Sequence, residues 1–240
     1  MKRAASAPRV VRTQRGLRLV QGRDVLSDVL AAPGATGGLF DVLAACVVVF
    51  APRRTRTRFA MLGFAAGGVV APLRALGFTD RIDAVDLSHE ALPLFREVSG
   101  GWAEPVHVAQ DEAALWLRRR ARPFDVVLED LTVPGARGAE KPRVSVEVLP
   151  ELVRRKLAPA GVVVVNVLPM PGMSWRELLA RLAAPHRAAL VVFPRDFENR
   201  VLIAGSTLPS AREATERLRV ALGGIRSRQA NRFSVRRLQG

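Results

Sequence analysis

The sequence predicts an α/β protein: a doubly wound, mostly parallel sheet of seven strands whose last strand runs antiparallel, preceded by a small N-terminal β-hairpin. Two observations predict it. Short, nearly all-apolar segments alternate with amphipathic ones in five successive units from residue 59 onward, as expected when helices cover both faces of a parallel sheet. Two further apolar segments, 188–194 and 200–206, are then separated by only five residues. A parallel crossover needs about a dozen or more, so these two strands pair as a hairpin.

Taken in order, Val10-Val11 and Leu17 to Val20 flank Gln14-Arg15-Gly16 and read as the small hairpin. Residues 31–38, AAPGATGG, are a turn region. Residues 39–50, LFDVLAACVVVF, read either as a helix or as a buried strand. Length and the leading Gly-Gly favour the helix, whereas the β-branched end argues for a strand. The regular pattern then opens. Strands are expected at 59–63, 81–86, 105–109, 124–130 and 161–167, each followed by a helix, and a last helix at about 210–221. Thr132 to Arg143 is the longest irregular stretch of the body and a candidate cover for a site. The expected organisation is a basic arm and hairpin (1–30), a linker helix and basic connector (31–58), the main alternating α/β domain (59–222) and a basic C-terminal tail (223–240).

Composition narrows the function. The chain has 240 residues, 49% hydrophobic and 25% charged, the balance of a globular protein rather than a disordered one. Its one cysteine, Cys46, excludes an intramolecular disulfide and a cysteine-based metal cluster. Three scattered histidines argue against a histidine zinc site, and no metal is expected. The absence of tyrosine removes that side chain as a base or stacking platform. The net charge of +15 sits mostly at the ends: residues 1–23 hold seven basic groups and residues 225–240 five, neither with an acid. These ends are either solvated or meet an anionic partner such as nucleic acid. The most apolar run is too short and contains Asp41, so no membrane span is expected, and a cytoplasmic location is the expectation.

Three features converge on a nucleotide. Gly63-Phe64-Ala65-Ala66-Gly67-Gly68 follows a strand and opens a helix, so its backbone can turn tightly and approach a ligand. Asp86 ends the next strand, with Leu87 beside it, where an acid accepts from ribose hydroxyls. Gln110-Asp111 ends the third strand, where a side chain can meet an adenine amino group. Each has a plain alternative: a tight turn, a surface acid, or a helix cap at Asp111. Jointly they lie at the carboxyl ends of adjacent strands, where ligands of such sheets bind. The terminal hairpin and the lack of chain for a separate substrate domain favour an S-adenosyl ligand over NAD.

These residues resemble the spermidine synthase-like branch of the class I S-adenosylmethionine-dependent methyltransferase fold, a Rossmann-like architecture, from about Val10 to Gly205. The likeness rests on the hairpin at 10–21, GFAAGG at 63–68, Asp86 in VDLSHEAL, Gln110-Asp111-Glu112-Ala113, Asp130-Leu131-Thr132-Val133-Pro134, the Leu157-Ala158-Pro159-Ala160-Gly161 turn and Asn199 in the final hairpin. The resemblance implies binding of S-adenosylmethionine or its decarboxylated form at Gly63, Ala65, Gly67, Gly68, Asp86, Leu87, Gln110, Asp111 and Asp130. It implies Asp130 as the base that accepts a proton from an attacking amine, with Glu129, Thr132 and Asp41 as acceptor-side candidates. It also implies a homodimer. The sequence departs from the family pattern on the acceptor side. Val133 replaces a second acid, the Tyr-His pair before the glycine loop is missing (the nearest stretch is Leu39-Phe40-Asp41-Val42), and the glutamine of the hairpin motif is absent from Gln21-Gly22-Arg23-Asp24-Val25. The expectation is therefore methyl or aminopropyl transfer to an amine or other small nucleophile. The alternatives are spermidine synthesis proper and an inactive nucleoside-binding or nucleic-acid-interacting relative.

Overall fold

The structure, a computed structural model, describes residues 9–21, 24–52, 54–135 and 138–238. The chain opens with β1 (Arg9–Thr13), β2 (Gly16–Gln21) and β3 (Asp24–Leu30), then α1 (Leu39–Phe50). The alternating body follows: β4 (Phe59–Leu62), α2 (Val70–Ala75), β5 (Ile82–Asp86), α3 (Leu92–Ser99), β6 (Val106–Gln110), α4 (Ala113–Arg118) and β7 (Phe124–Glu129). Next come the two-residue strands β8 (Val133–Pro134) and β9 (Ala139–Glu140), then α5 (Arg143–Glu147), α6 (Leu149–Lys156), β10 (Leu157–Val167) and α7 (Trp175–Ala183). The chain closes with β11 (Ala188–Pro194), β12 (Arg200–Gly205), α8 (Ala211–Gly224) and β13 (Phe233–Arg237).

The main sheet has the order β13-β11-β12-β10-β7-β4-β5-β6. β10, β7, β4, β5 and β6 run parallel. β12 enters antiparallel between β10 and β11, so the expected hairpin and reversed strand are both present. Side chains alternate across the sheet as the pleat requires. Val126, Leu128, Val162 and Val164 join the core under α1, α2, α3 and α8. Val127, Val163 and Val165 join the core under α4, α5, α6 and α7.

Residues 39–50 form helix throughout. Their β-branched end costs little because Val42 to Val47 are completely buried among α2, α8 and the sheet, and packing outweighs propensity. Burial also raises the Cys46 thiol far above its ordinary range, leaving it an inert core group.

The architecture differs from the expected one at its ends. The N-terminal hairpin gains a third strand, β3, paired antiparallel with β2. The main sheet has eight strands rather than seven, because β13 adds to the free edge of β11. The segment read as a basic tail is thus the last strand and its connection. Four of its five arginines serve the fold. Arg232 pairs with Asp196 and holds that carboxyl down at about 2. Arg228 donates to the carbonyl of Gly37, Arg236 lies over the Phe193 ring, and Arg237 donates to the carbonyls of Leu208 and Pro209. The basic residues before Arg9 lie outside the described residues.

Ending the chain at Gly224 would strip β13 from the sheet, expose the β11 edge and remove buried Gln229 and Phe233. Calorimetry of that truncation is expected to show a melting temperature lower by roughly 10 °C, with aggregation on heating. An unchanged melt would mean that β13 is ornamental.

Candidate functional site

The parallel strands β4, β5, β6 and β7 end side by side, and the glycine turn, Asp86, Gln110 and Asp130 occupy those ends. The turn is built by backbone geometry. Gly63 adopts φ +88°, and a Cβ there would lie 2.7 Å from the carbonyl oxygen of Asp130. A larger residue would push the glycine turn away from the end of β7. Gly67 also takes a positive φ, and Ala65 stands at φ +48°, unusual for a residue with a side chain. At Gly68, a Cβ would meet the Ser27 hydroxyl at 2.8 Å and the Phe40 ring at 2.9 Å. The N-terminal sheet and α1 therefore press directly on the turn. Ser27 is buried there with an unpartnered Oγ.

Asp86 gathers the turn. Its Oδ2 accepts from the backbone N–H groups of Phe64 (2.7 Å) and Ala65 (2.8 Å), a small anion nest, and its Oδ1 accepts from Ser88 N–H (3.0 Å). A carboxylate has about four acceptor positions, so one on Oδ1 stays open to a hydroxyl donor. Leu87, 69% exposed, stands next to it. Gln110 faces Asp86 in the β5–β6 register and donates from Nε2 to the carbonyl of Leu87 (3.2 Å). Asp111 is engaged: its Oδ2 meets Arg119 at 2.6 Å and its Oδ1 accepts from Glu112 N–H. The cap of α4 is Glu112, not Asp111, accepting from the N–H groups of Ala114 and Leu115. A ligand amino group at Asp111 competes with Arg119.

Asp130 follows the end of β7 and stays tied to β4 through its N–H to the carbonyl of Leu62. Its Oδ1 accepts from the Asn166 side chain at 2.6 Å, and Asn166 is itself oriented by a donor from Asn199 at 2.8 Å. No other hydrogen bond to its carboxyl is found among the described residues, so Oδ2 is available. Desolvation pushes its pKa up to about 6. The Asn166 donor and the Lys141 cation oppose the rise, while the nearby charges of Glu129 and Asp86 add to it.

Two acceptor-side candidates are placed elsewhere by the fold. Glu129 is 2% exposed and turned to the face covered by α5, where it pairs with Lys141 at 2.8 Å and accepts from Ser145 Oγ at 3.1 Å. Strand alternation sends it away from Asp130, and its partner is a lysine. Asp41 is completely buried, with all of its acceptor capacity used: Thr36 N–H and Oγ1 on one oxygen, Gly37 N–H and Ser227 Oγ on the other. It anchors the entry to α1 against the C-terminal segment. Thr132 is exposed, as is Val133.

Asn166 and Lys141 escaped the sequence reading. Asn166 carried a signal, a lone amide inside the valine run of β10. Lys141 carried a fainter one, as one of three lysines in an arginine-rich chain. Among the described residues, no group of His, Cys, Asp or Glu is arranged to hold a metal ion, and no helix is long and apolar enough to cross a membrane.

No protein-family model and no curated protein matches the sequence. Solved structures do resemble it. A probable spermidine synthase from Corynebacterium glutamicum has a TM-score of 0.74 at 16% identity, covering 96% of this chain and 90% of its own. Spermidine synthase from Thermotoga maritima has a TM-score of 0.62 at 13% identity, with coverage of 86% and 73%. Human methyltransferase-like protein 13, solved in complex with SAH, has a TM-score of 0.59 at 19% identity, with coverage of 79% and 89%. Strand order, the inserted antiparallel β12 and the N-terminal β-sheet agree with these likenesses: the chain has the α/β fold of the class I S-adenosylmethionine-dependent methyltransferases and spermidine synthases.

Proposed function

We propose that the chain is an S-adenosyl-nucleotide-dependent transferase that moves a methyl or aminopropyl group to an amine or other small nucleophile, with Asp130 as the base. The observation that carries this reading is the junction of the glycine turn with Asp130. Gly63 packs without a Cβ against the backbone of Asp130, and Asp86 cradles the same turn. A nucleoside held by Asp86, Leu87 and Gln110 therefore lies beside a carboxylate with one open oxygen. The donor supplies an activated carbon next to its sulfonium. The protein supplies position and a proton acceptor.

The acceptor side favours a nucleophile with few charges. A dicationic diamine calls for several converging acids, yet Glu129 and Asp41 are both committed to the fold, and Val133 stands 40% exposed where a second acid would help. Spermidine synthesis proper is the narrower alternative. Calorimetric titration with S-adenosylmethionine, its decarboxylated form, methylthioadenosine and NAD separates these readings. Preference for the decarboxylated form supports aminopropyl transfer, and preference for the intact form supports methyl transfer. If none of the S-adenosyl compounds binds, the proposal fails.

In the same titration, Asp86→Ala is expected to weaken the preferred compound by about 10- to 100-fold, the range for hydrogen bonds to a charged group. Asp86→Asn, which keeps an acceptor oxygen, should lose less. Equal affinity in all three proteins would remove Asp86 from the binding site.

A nucleic-acid acceptor is a second reading, favoured by one observation. Three basic segments meet at the opposite ends of the parallel strands. Lys156 Nζ donates to the carbonyls of Arg118 and Arg120, and Arg58 donates to that of Pro123. Arg56, Arg118, Arg122 and Arg155 are exposed around this junction. RNA binding that survives moderate salt and weakens when these four become alanine would support it.

A further inference from the structure

Lys141 is a buried cation beside the segment that carries Asp130. Its side chain is completely covered, in a chain where Lys is rare and Arg abundant. Burying an ammonium requires that every proton find an acceptor. Here the three acceptors are Glu129 Oε1 (3.0 Å), the carbonyl of Leu131 (3.2 Å) and the carbonyl of Asn166 (2.6 Å), with Glu129 Oε2 in ion-pair contact at 2.8 Å. Two of these residues flank Asp130 in the chain. The third is the residue whose side chain donates to the Asp130 carboxylate. One ammonium thus grips the Glu129 side chain before Asp130, the Leu131 carbonyl after it, and the backbone of the strand that orients it.

Lys141 also follows directly on the β8–β9 hairpin. Val133 pairs with Glu140 and Pro134 with Ala139, and the Lys141 N–H donates to the carbonyl of Pro169. The sequence offers this stretch as a candidate cover. Its first strand leaves directly from the Asp130 segment, and its second returns to Lys141.

We propose that Lys141 is the positioning residue of this site, a single buried ammonium that fixes the segment carrying Asp130, its Asn166 partner and the base of the β8–β9 hairpin as one unit. The proposal rests on the reading of Asp130 as the reacting carboxylate. Asn166 from β10 contacts that carboxylate directly, and the charges of Lys141 after β9, Glu129 at the end of β7 and Asp86 at the end of β5 act on it from nearby. Lys141 lowers the proton affinity of Asp130, and Glu129 and Asp86 raise it.

The test is a carbon-13 NMR titration of the Asp130 carboxyl group, assigned by its loss in Asp130→Asn. Four proteins are compared: the native chain, Lys141→Met, Glu129→Gln and the pair. Lys141→Met should raise the Asp130 midpoint by about one unit, roughly a tenfold gain in proton affinity. Glu129→Gln should lower it. The pair should return it close to the native value. Lys141→Met leaves a buried carboxylate without its cation and can fail to fold, whereas the pair replaces both charges together. If Lys141→Met does not fold, the comparison of Glu129→Gln with the pair decides: a pair as low as Glu129→Gln overturns the proposal. An unmoved midpoint in folded Lys141→Met overturns it as well. The titration needs no turnover. Midpoints that shift as expected, in a protein whose Asp130→Asn form still transfers, would keep the positioning role and reject Asp130 as the base.

Discussion

Asp130→Asn is expected to slow group transfer by about 100- to 10,000-fold, the usual contribution of a positioned base. S-adenosyl affinity should change by less than about tenfold, because asparagine keeps an oxygen for the Asn166 donor. The pH profile carries the sharper signature. The carboxyl holds its proton up to about pH 6, and only the carboxylate can accept one. Transfer by the native protein should therefore rise with pH through about 6 and level off above it. A rate–pH profile flat from pH 5 to 8, or transfer unaffected by the substitution, would remove Asp130 from the reaction.

The same shift predicts a stability effect of opposite sense. The folded-state pKa lies above the ordinary 3.8, so the folded chain binds more protons than the unfolded one between about 4 and 6. Stability contributed by this group is full below about pH 4 and is lost as pH rises through 6. Asparagine imitates the protonated form. Asp130→Asn should thus melt higher than the native protein at pH 8, with the difference closing below pH 4. A site kept for reaction at a cost in stability has this profile.

Asp41→Ala is expected to destabilise the fold by about 3 kcal/mol, seen as a melting temperature lower by roughly 10 °C. The carboxylate satisfies the N–H groups of Thr36 and Gly37 and the hydroxyls of Thr36 and Ser227, groups separated by about 190 residues of chain. Removing it leaves several donors without an acceptor in a buried place. Ser227 begins the connection to β13, so loosening should spread to the sheet edge, where hydrogen exchange of 233–237 would report it. If the variant melts like the native protein yet loses acceptor binding, Asp41 is an acceptor residue and the structural account is wrong.

Much of this was legible in the residues. The alternation of apolar and amphipathic segments determined the strands and helices to within a few positions, because a sheet covered on both faces needs apolar strands and little else. The five-residue link before β12 determined its direction, since chain length forbids a crossover. Gly63 and Asp86 were readable because a turn against a strand end and an acid at the next strand end are local demands. The break between α5 and α6 departs from the single helix expected after 124–130: Pro150 stands in the first turn of α6 and cannot donate to a continuing helix.

Other features depended on partners distant in sequence. Asp41, Glu129 and Asp130 all read as acids available to an acceptor. Which of them faces the site was decided by strand alternation at 129–130 and by Ser227, which lies far along the chain. The five arginines near the C-terminus read as a tail, either solvated or meeting an anionic partner, because no acid lies among them. Four of them serve the edge strand and its connection because β11 presents a free edge and Asp196 a carboxylate to pair. Lys141 is the clearest case: nothing in its neighbours marks it, and its role exists only where β7, β10 and the hairpin meet. Sequence sets what each segment can form by itself, through periodicity, turn chemistry and chain length. Tertiary structure decides which charges are spent on one another, because that depends on burial and on contacts between residues far apart in the chain.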